Sequence, residues 1–224
     1  MSIIHLVTTC SKSKNGSIGD TIFPYYHQDI NRAFQQWKRC VLKRYIQGND
    51  TKETLHLYRG QHWDTAKRIA ETHDNICLWI VSAGLGLRHS SDPSIPYEAS
   101  FTQVRKKSAD LWNLLTTNPI LPGRISSLEE LMRLHTHDAF VVAASPIYLN
   151  AIENDLARGL CHLSEPEKKV TITTTSSYDG QLKPFVTYGN SGMMKKLKSN
   201  MTTLNIKHAE SLLLNLTNEP QSQN

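Results

Sequence analysis

The feature that most constrains the fold is a repeated order: a short apolar strand, then a loop of small and polar residues, then a helical pattern. The first such strand covers residues 3–9 and is rich in β-branched side chains. Strands that alternate with helices favour a mostly parallel sheet covered by helices. We therefore predict an α/β fold, a single domain with a mixed or mostly parallel central sheet of about four to six strands.

Apolar periodicity and the positions of glycine and proline predict the remaining elements. Buried strands are expected at 77–81, 139–144 and 170–174, and helices at 30–45, 61–73, 101–115, 128–134, 145–156, from Ser191 onward, and at 206–216. We expect one domain over residues 1–217 and a disordered tail over residues 218–224.

Composition narrows the class of protein. The 224 residues carry a formal charge of +5, which is compatible with a polyanionic partner but does not require one. The chain has no signal-peptide pattern and no apolar run long enough to cross a bilayer, so we expect a cytoplasmic protein without a membrane partner. The four cysteines have no paired spacing, which predicts free thiols rather than disulfides or a zinc knuckle.

The loop after the first strand is the main candidate for chemistry. It reads Cys10, Ser11, Lys12, Ser13, Lys14. Nearby ammonium groups favour a thiolate, which would make Cys10 a nucleophile; alternatively Cys10 is a small buried residue at the strand end. The two lysines and Ser11 suit an anionic phosphate, or the lysines are solvated surface charges.

Ligands of such sheets bind beyond the carboxyl ends of the strands, so four distant loops are expected to form one site. In the second loop, Ser82, Gly84 and Gly86 would let a ligand approach the backbone closely, while Asp92 and Tyr97 either touch a ligand or organise a turn. Later loops add further candidate ligand contacts: Ser145, Tyr178 and Asp179.

Two basic segments are candidate nucleic-acid contacts. Arg105, Lys106 and Lys107 form one, and Lys195, Lys196 and Lys198 form the other; each is either a solvated face or a track for a DNA backbone. The four tryptophans are expected in the core rather than as base-stacking platforms. His135, His137 and Asp138 precede a strand, at the wrong end of the sheet for the predicted site, so we expect no metal and no cofactor.

Two sequence blocks resemble a known family. Residues 6–14, with their CSKSK segment, and residues 82–87, followed by Asp92, Pro96 and Tyr97, are similar to the YaaA-like superfamily. The similarity covers the first half of the chain and, more loosely, residues 141–156. It implies DNA binding. One branch, the DpdC-like proteins, belongs to bacterial gene clusters that place 7-deazaguanine bases in DNA, and is similar to a hydratase that converts the 7-cyano base in DNA into the 7-carboxamide.

The resemblance implies a nitrile hydratase of a DNA base, with DNA and other proteins of that gene cluster as partners. Cys10 would add to the nitrile carbon, although the general YaaA pattern has no cysteine there, so Cys10 is either branch-specific or incidental. The alternatives are a non-catalytic DNA-binding stress protein and a base-excising or nucleotide-cleaving enzyme that uses Asp92 as general acid or base.

The other candidate residues take supporting roles in the hydratase hypothesis. Either lysine of the first loop would protonate the developing nitrogen or hold a phosphate, and Ser82 with the amides near Gly84 would stabilise charge. Asp92 or Asp179 would activate water, and Tyr97 or Tyr178 would stack on a flipped-out base.

Overall fold

The computed structural model describes residues 3–48 and 50–218. Within them the strands are β1 (Ile4–Thr9), β2 (Lys52–Glu53), β3 (Ile76–Ser82), β4 (Gly86–His89), β5 (Pro93–Ser94), β6 (Ala139–Ala143), β7 (Val170–Thr175) and β8 (Val186–Gly189). The α-helices are α1 (Ile30–Gln47), α2 (Gln61–Thr72), α3 (Ser108–Thr117), α4 (Leu128–Leu134), α5 (Pro146–Leu160), α6 (Pro166–Lys169), α7 (Ser191–Lys196) and α8 (Leu204–Asn218). Single 3₁₀ turns occur at Thr54–His56, Arg105–Lys107 and Lys183–Phe185.

The central sheet confirms the predicted α/β class. Its strand order is β4-β3-β1-β6-β7-β8, and every neighbouring pair is parallel except β3 and β4. Helices α2 and α8 pack on one face of the sheet, and α1, α3, α4 and α5 form the layer on the other. These layers enclose the core of a single domain, as predicted.

The core is aromatic as well as aliphatic. Trp37, Trp63, Trp79 and Trp112 have exposed fractions of 0, 1, 3 and 2%, which confirms that they are core residues. Strand β1 is buried along its whole length because it lies between β3 and β6 with helices on both faces. Among the described residues, no helix combines the length and the apolar character needed to cross a membrane.

The strand order creates a crevice between β1 and β6. From β1 the chain moves to β3 on one side, and it later returns to place β6 on the other side of β1. The place where successive connections leave a strand to opposite sides is the switch point of the sheet. In α/β sheets ligands bind there, beyond the carboxyl ends of the two strands. Cys10 follows β1 there, and Ser145 follows β6 at the start of α5.

Some boundaries differ from the predictions. Helix α3 begins at Ser108 rather than near Phe101, because the preceding segment forms tight i to i+3 turns, with Val104 N–H donating to Phe101 O and Lys107 N–H to Val104 O. Strands β2, β4, β5 and β8 were not predicted. Helix α8 extends one residue into the expected tail, whose remaining residues, 219–224, lie outside the described part of the chain.

The buried Arg88 explains why β4 escaped prediction. A charged residue in a short strand interrupts the apolar pattern that marks buried strands. In the structure its guanidinium donates to the carbonyls of Pro93 at 2.6 Å, Pro122 at 2.5 Å and Leu121 at 3.3 Å. These distant acceptors compensate the loss of water, so the residue is tolerated at 1% exposure.

Candidate functional site

The thiol of Cys10 lies in the crevice between β1 and β6. Its backbone N–H donates to Val81 O at 3.0 Å, which extends the pairing of β1 with β3, and the residue is 8% exposed. Its Sγ lies 3.2 Å from Tyr148 Oη in the first turn of α5. Parallel pairing of β1 with β6 therefore brings together two groups that are 138 residues apart in the chain.

Tyr148 acts on Cys10 as a hydrogen-bond donor. Burial, together with the neighbouring Cys10, raises the pKa of Tyr148 well above its usual value, so the phenol keeps its proton at neutral pH. A phenolic O–H is a stronger donor than a thiol. The phenol is therefore assigned as the donor in this contact, and the Cys10 sulfur as the acceptor.

The structure separates the roles of the two lysines. Lys14 Nζ donates to the carbonyls of Ser11 at 3.0 Å and Lys12 at 3.1 Å, and it lies 4.3 Å from the centre of the Tyr97 ring. Burial lowers its pKa. Lys14 therefore holds the loop in shape, whereas Lys12 is exposed and its side chain is free to meet a ligand.

Ser82 and Tyr97 form a buried network rather than a ligand surface. Tyr97 Oη lies 2.6 Å from Ser82 Oγ and 2.9 Å from Tyr58 Oη, and the Leu85 N–H donates to Ser82 Oγ at 2.9 Å. Ser82 and Tyr97 are both 0% exposed. Neither side chain reaches solvent, so the geometry gives no support to the expected roles of Ser82 in stabilising charge and of Tyr97 in base stacking, which stay predictions.

The two glycines of the second loop approach protein rather than a ligand. A Cβ on Gly84 would lie 2.7 Å from the Tyr97 ring, and the Gly84 carbonyl accepts from Trp37 Nε1 at 2.7 Å. Gly86 has a φ of +79° and packs against the backbone of Leu115. Both glycines make packing contacts that let the Tyr97 ring and α3 approach the sheet closely, and their predicted ligand contacts stay predictions.

Gly84→Ala is expected to destabilise the fold by about 1–3 kcal/mol through overpacking. The new methyl group would push on a tyrosine ring that two hydrogen bonds hold in place. Urea unfolding of the full chain measures the effect, with Gly192→Ala on the exposed helix α7 as the matched change. Equal stability of Gly84→Ala and wild type would contradict the close packing described for Tyr97.

A cavity of about 260 Å³ opens beside the Cys10 loop. Tyr148 and Lys12 contribute to its wall, and Glu98, which sequence reasoning missed, supplies a carboxylate. Its volume is slightly below the range of about 300–1,000 Å³ typical of ligand pockets, which suits a ligand of one aromatic ring system. Its complete lining is Ser11, Lys12, Glu98, Ala99, Ser100, Thr102, Gln103 and Tyr148.

Glu98 lies in the cavity because it follows the buried Tyr97 in an extended segment. The Glu98 N–H donates to Thr21 O at 2.9 Å, and its carbonyl accepts from Phe23 N–H at 2.8 Å. Successive side chains of an extended segment point to opposite sides. Because Tyr97 points into the core, Glu98 points out of it, and this alternation was the one sequence pattern that could have identified Glu98.

Two predicted polar residues, Asp92 and Asp179, have other partners. The Asp92 carboxylate accepts from the backbone N–H groups of His89 at 2.7 Å and Arg124 at 3.1 Å, so it organises a turn. The Asp179 carboxylate is exposed and pairs with Lys183. Neither contacts the Cys10 loop among the described residues, which removes the structural support for their role in activating water.

Tyr178 and Ser145 differ in their relation to the crevice. The Tyr178 hydroxyl donates to Glu153, and the residue is 1% exposed, so the ring is unavailable for the predicted base stacking. Ser145 stands before Pro146 at the N-terminus of α5, and its side chain makes no capping hydrogen bond. Ser145 therefore remains at the crevice, one helical turn from Tyr148.

The basic segments lie on separate elements. Lys106 and Lys107 belong to the 3₁₀ turn before α3, while the side chain of Arg105 lies outside the described residues. Lys195 and Lys196 belong to α7, and Lys198 follows that helix; all three are exposed. Lys198 also lines an open cavity of about 420 Å³ between α2 and α8.

Two further cations at that second cavity are already paired. Arg68 lies 2.5 Å from Glu210, and Lys207 lies 3.0 Å from the same carboxylate. Asp64 adds another negative charge to the lining. These contacts reduce the attraction of this cavity for a phosphate.

The histidines near the amino end of the sheet form a hydrogen-bonded cluster. His5, His135 and Asp138 place their ligand atoms within 4.8 Å of one another. Trp79 Nε1 donates to His5 Nδ1 at 3.0 Å, so the other ring nitrogen of His5 carries the proton and donates to Asp138 Oδ2 at 3.1 Å. His5 then has no free lone pair for a metal ion.

Comparison with known proteins gives no identification. No family model, no curated protein and no solved structure matches this chain. The functional argument therefore depends on the arrangement of residues at the crevice, above all on Cys10, Tyr148 and the adjoining cavity.

Proposed function

We propose that this protein is a cysteine-dependent nitrile hydratase that converts 7-cyano-7-deazaguanine in DNA to the 7-carboxamide. The observation that carries the proposal is the 3.2 Å contact between Cys10 Sγ and Tyr148 Oη at the switch point of the sheet. This contact places a phenol hydroxyl against the thiol, beside a cavity of about 260 Å³. The choice of substrate comes from the resemblance carried by residues 6–14 and 82–97.

The proposed reaction has two steps. The Cys10 thiolate adds to the nitrile carbon, one π bond of the nitrile breaks, and the nitrogen takes a proton, which gives a thioimidate. Water then adds across the C=N bond of the thioimidate, so the carbon gains a hydroxyl and the nitrogen becomes an amino group. The carbonyl forms as the carbon–sulfur bond breaks, Cys10 leaves as a thiolate, and the hydroxyl proton returns to the group that protonated the nitrogen in the first step. The sum is addition of one water to the nitrile, with no oxidant or reductant.

Two groups near the thiol can deliver the proton to nitrogen. Tyr148 keeps its hydroxyl proton because its pKa is raised, and it contacts Cys10 directly. Lys12 lines the cavity and carries an ammonium group. Lys14 is less suited, since its ammonium is engaged with two carbonyls of its own loop. The substrate base must leave the duplex to reach this cavity, which requires base flipping.

Mass spectrometry of nucleosides tests the proposal. DNA that contains 7-cyano-7-deazaguanine is incubated with the full chain, digested and compared with untreated DNA. We expect the 7-cyano nucleoside to gain the mass of one water. Unchanged nucleosides with DNA still bound would favour a non-catalytic DNA-binding protein, and release of a free base would favour base excision.

Tyr148→Phe is expected to lower kcat/KM for hydration by about 10–100-fold. This is the loss of rate that corresponds to removing a hydrogen bond to a group that is charged in the transition state. Initial rates over a range of substrate concentrations measure this loss. Tyr26→Phe removes the hydroxyl of a 73% exposed tyrosine and serves as the matched change. An unchanged kcat/KM in Tyr148→Phe would contradict the role of Tyr148.

A further inference from the structure

We infer that Glu98 selects the ligand of the cavity by accepting hydrogen bonds from the two adjacent N–H donors of a guanine-type base edge. This inference deepens the proposed function, on which it depends for the identity of the cavity as a base site. It assigns a specificity role to a residue that neither the motifs nor the resemblance pointed to.

The first support is the state of the Glu98 carboxylate. Glu98 is partly buried at the wall of the cavity, and its backbone is fixed by hydrogen bonds to Thr21 and Phe23. Within the described residues, its carboxylate makes no hydrogen bond and no ion pair, although its charge acts on Lys14 and Tyr25. The Lys14 ammonium donates to two carbonyls of its own loop instead, so the carboxylate oxygens of Glu98 are open to the N–H donors of a ligand.

The second support is the character of the other lining groups. Lys12 supplies an ammonium donor, Gln103 an amide, and Ser100 a hydroxyl. Glu98 is the one carboxylate among the residues that line this cavity. An ionised carboxylate only accepts hydrogen bonds, and its two oxygens suit two parallel N–H donors. The cavity therefore favours a neutral ligand with paired donors over an anion.

The third support is the pattern of the base edges. A guanine-type Watson–Crick edge presents the ring N1–H beside the exocyclic N2 amino group, which are two adjacent donors. Adenine and cytosine each present one amino group beside a ring nitrogen that accepts, and thymine presents one ring N–H between two carbonyls. A carboxylate that faces the other three edges meets at least one acceptor, which costs affinity. The 7-cyano-7-deaza base keeps the guanine edge.

The inference is tested by binding rather than turnover. Titration calorimetry uses the full chain carrying Cys10→Ala, so that no reaction consumes the ligand. The probes are free 7-cyano-7-deazaguanine, its analogue without the 2-amino group, adenine, and an oligonucleotide that carries the 7-cyano base. The free base and the oligonucleotide distinguish whether the base enters alone or as part of DNA.

We expect the 2-amino base to bind, and Glu98→Gln to weaken its binding by about 10–100-fold. The amide presents a donor where the second acceptor was needed, so Glu98→Gln should also reduce the preference for the 2-amino base over its analogue. The matched change is Glu167→Gln, at an exposed position in α6, and it should leave binding unchanged. Binding of arginine, whose guanidinium also offers paired donors, in preference to the base would overturn the inference.

The outcomes separate this inference from the proposed function. If the wild type does not hydrate the nitrile but Glu98→Gln still loses base binding, the inference stands and the hydratase proposal fails. If the wild type hydrates the nitrile and Glu98→Gln binds the base as tightly as the protein with Glu98 does, the inference fails. Glu98 then has no role in base selection, and the hydratase proposal stands. Failure of every base to bind at millimolar concentration also overturns it.

Discussion

Replacement of Cys10 by alanine is expected to lower the rate of nitrile hydration by about 10³-fold or more, because the covalent route through the thioimidate is lost. The side chain is 8% exposed and contacts the Tyr148 hydroxyl, so the smaller residue leaves the fold and the cavity wall in place. Initial rates from nucleoside mass spectrometry, with wild type and variant at equal concentration, measure the loss.

Two comparisons make this result specific to the thiol. Cys10→Ser keeps the size of the side chain but offers a weaker nucleophile, so its rate should lie near that of Cys10→Ala. Cys161→Ala removes an exposed thiol at the end of α5 and should leave the rate unchanged. Hydration by Cys10→Ala at the wild-type rate would show that the thiol takes no part in the chemistry, whatever the fate of DNA binding.

Acidification is expected to destabilise the fold strongly through His62. Burial lowers the pKa of His62 to about 4, against an unfolded value of 6.5, and a hydrogen bond with the Thr202 backbone offsets only part of this shift. Between these two values the unfolded chain binds a proton that the native state does not, so stability falls as the pH falls. The expected loss is about 2 kcal/mol from about pH 7 to about pH 5, and about 3 kcal/mol near pH 4.

Urea unfolding of wild type and His62→Gln at about pH 7 and about pH 5 isolates this contribution. The variant retains an amide that can meet Thr8 Oγ1, which lies 2.7 Å from His62 Nε2. It should lose about 2 kcal/mol less stability on acidification than the wild type does. His137→Gln, at an exposed position, should keep the wild-type pH dependence. An equal acid response of His62→Gln and wild type would refute the assignment.

Some acid sensitivity should remain in His62→Gln. Burial and the charge of Arg124 lower the pKa of His89 to about 4, so its linkage to folding has the same sign. His89 contacts the Trp79 ring at 4.9 Å between centroids and accepts a hydrogen bond through Nδ1 from the Ser91 N–H. The two histidines are on different elements, and their effects are expected to add.

The candidate site was predictable as a region but not as a set of side chains. The Cys10 loop and Ser145 could be placed together because parallel strands deliver their following loops to one edge of the sheet. Tyr97 was recognised as important, yet its ring is core and its neighbour Glu98 faces the cavity. A shift of one residue in an extended segment exchanges the side chains that face the core with those that face outward. Which of two neighbours faces the core depends on what packs against the segment.

The partners of the polar residues were also not predictable from the sequence. Ser82, Asp92 and Tyr178 lie on strand-end loops where ligand contacts are expected, but their partners are Tyr97, two backbone N–H groups and Glu153. Whether a buried polar group is satisfied by protein or left for a ligand depends on residues far away in the chain. Local sequence does not contain that information.

The order of strand, loop and helix is visible in the apolar periodicity and in the positions of glycine and proline. That order determined the α/β class, the buried tryptophans and the edge of the sheet at which Cys10 lies. These are properties of local patterns and of the geometry of parallel strands. Only the tertiary structure decided that Tyr148 contacts Cys10 and that Glu98 faces the cavity. Side chains so distant in sequence come together only when β1 and β6 have paired and the loops have packed around their ends.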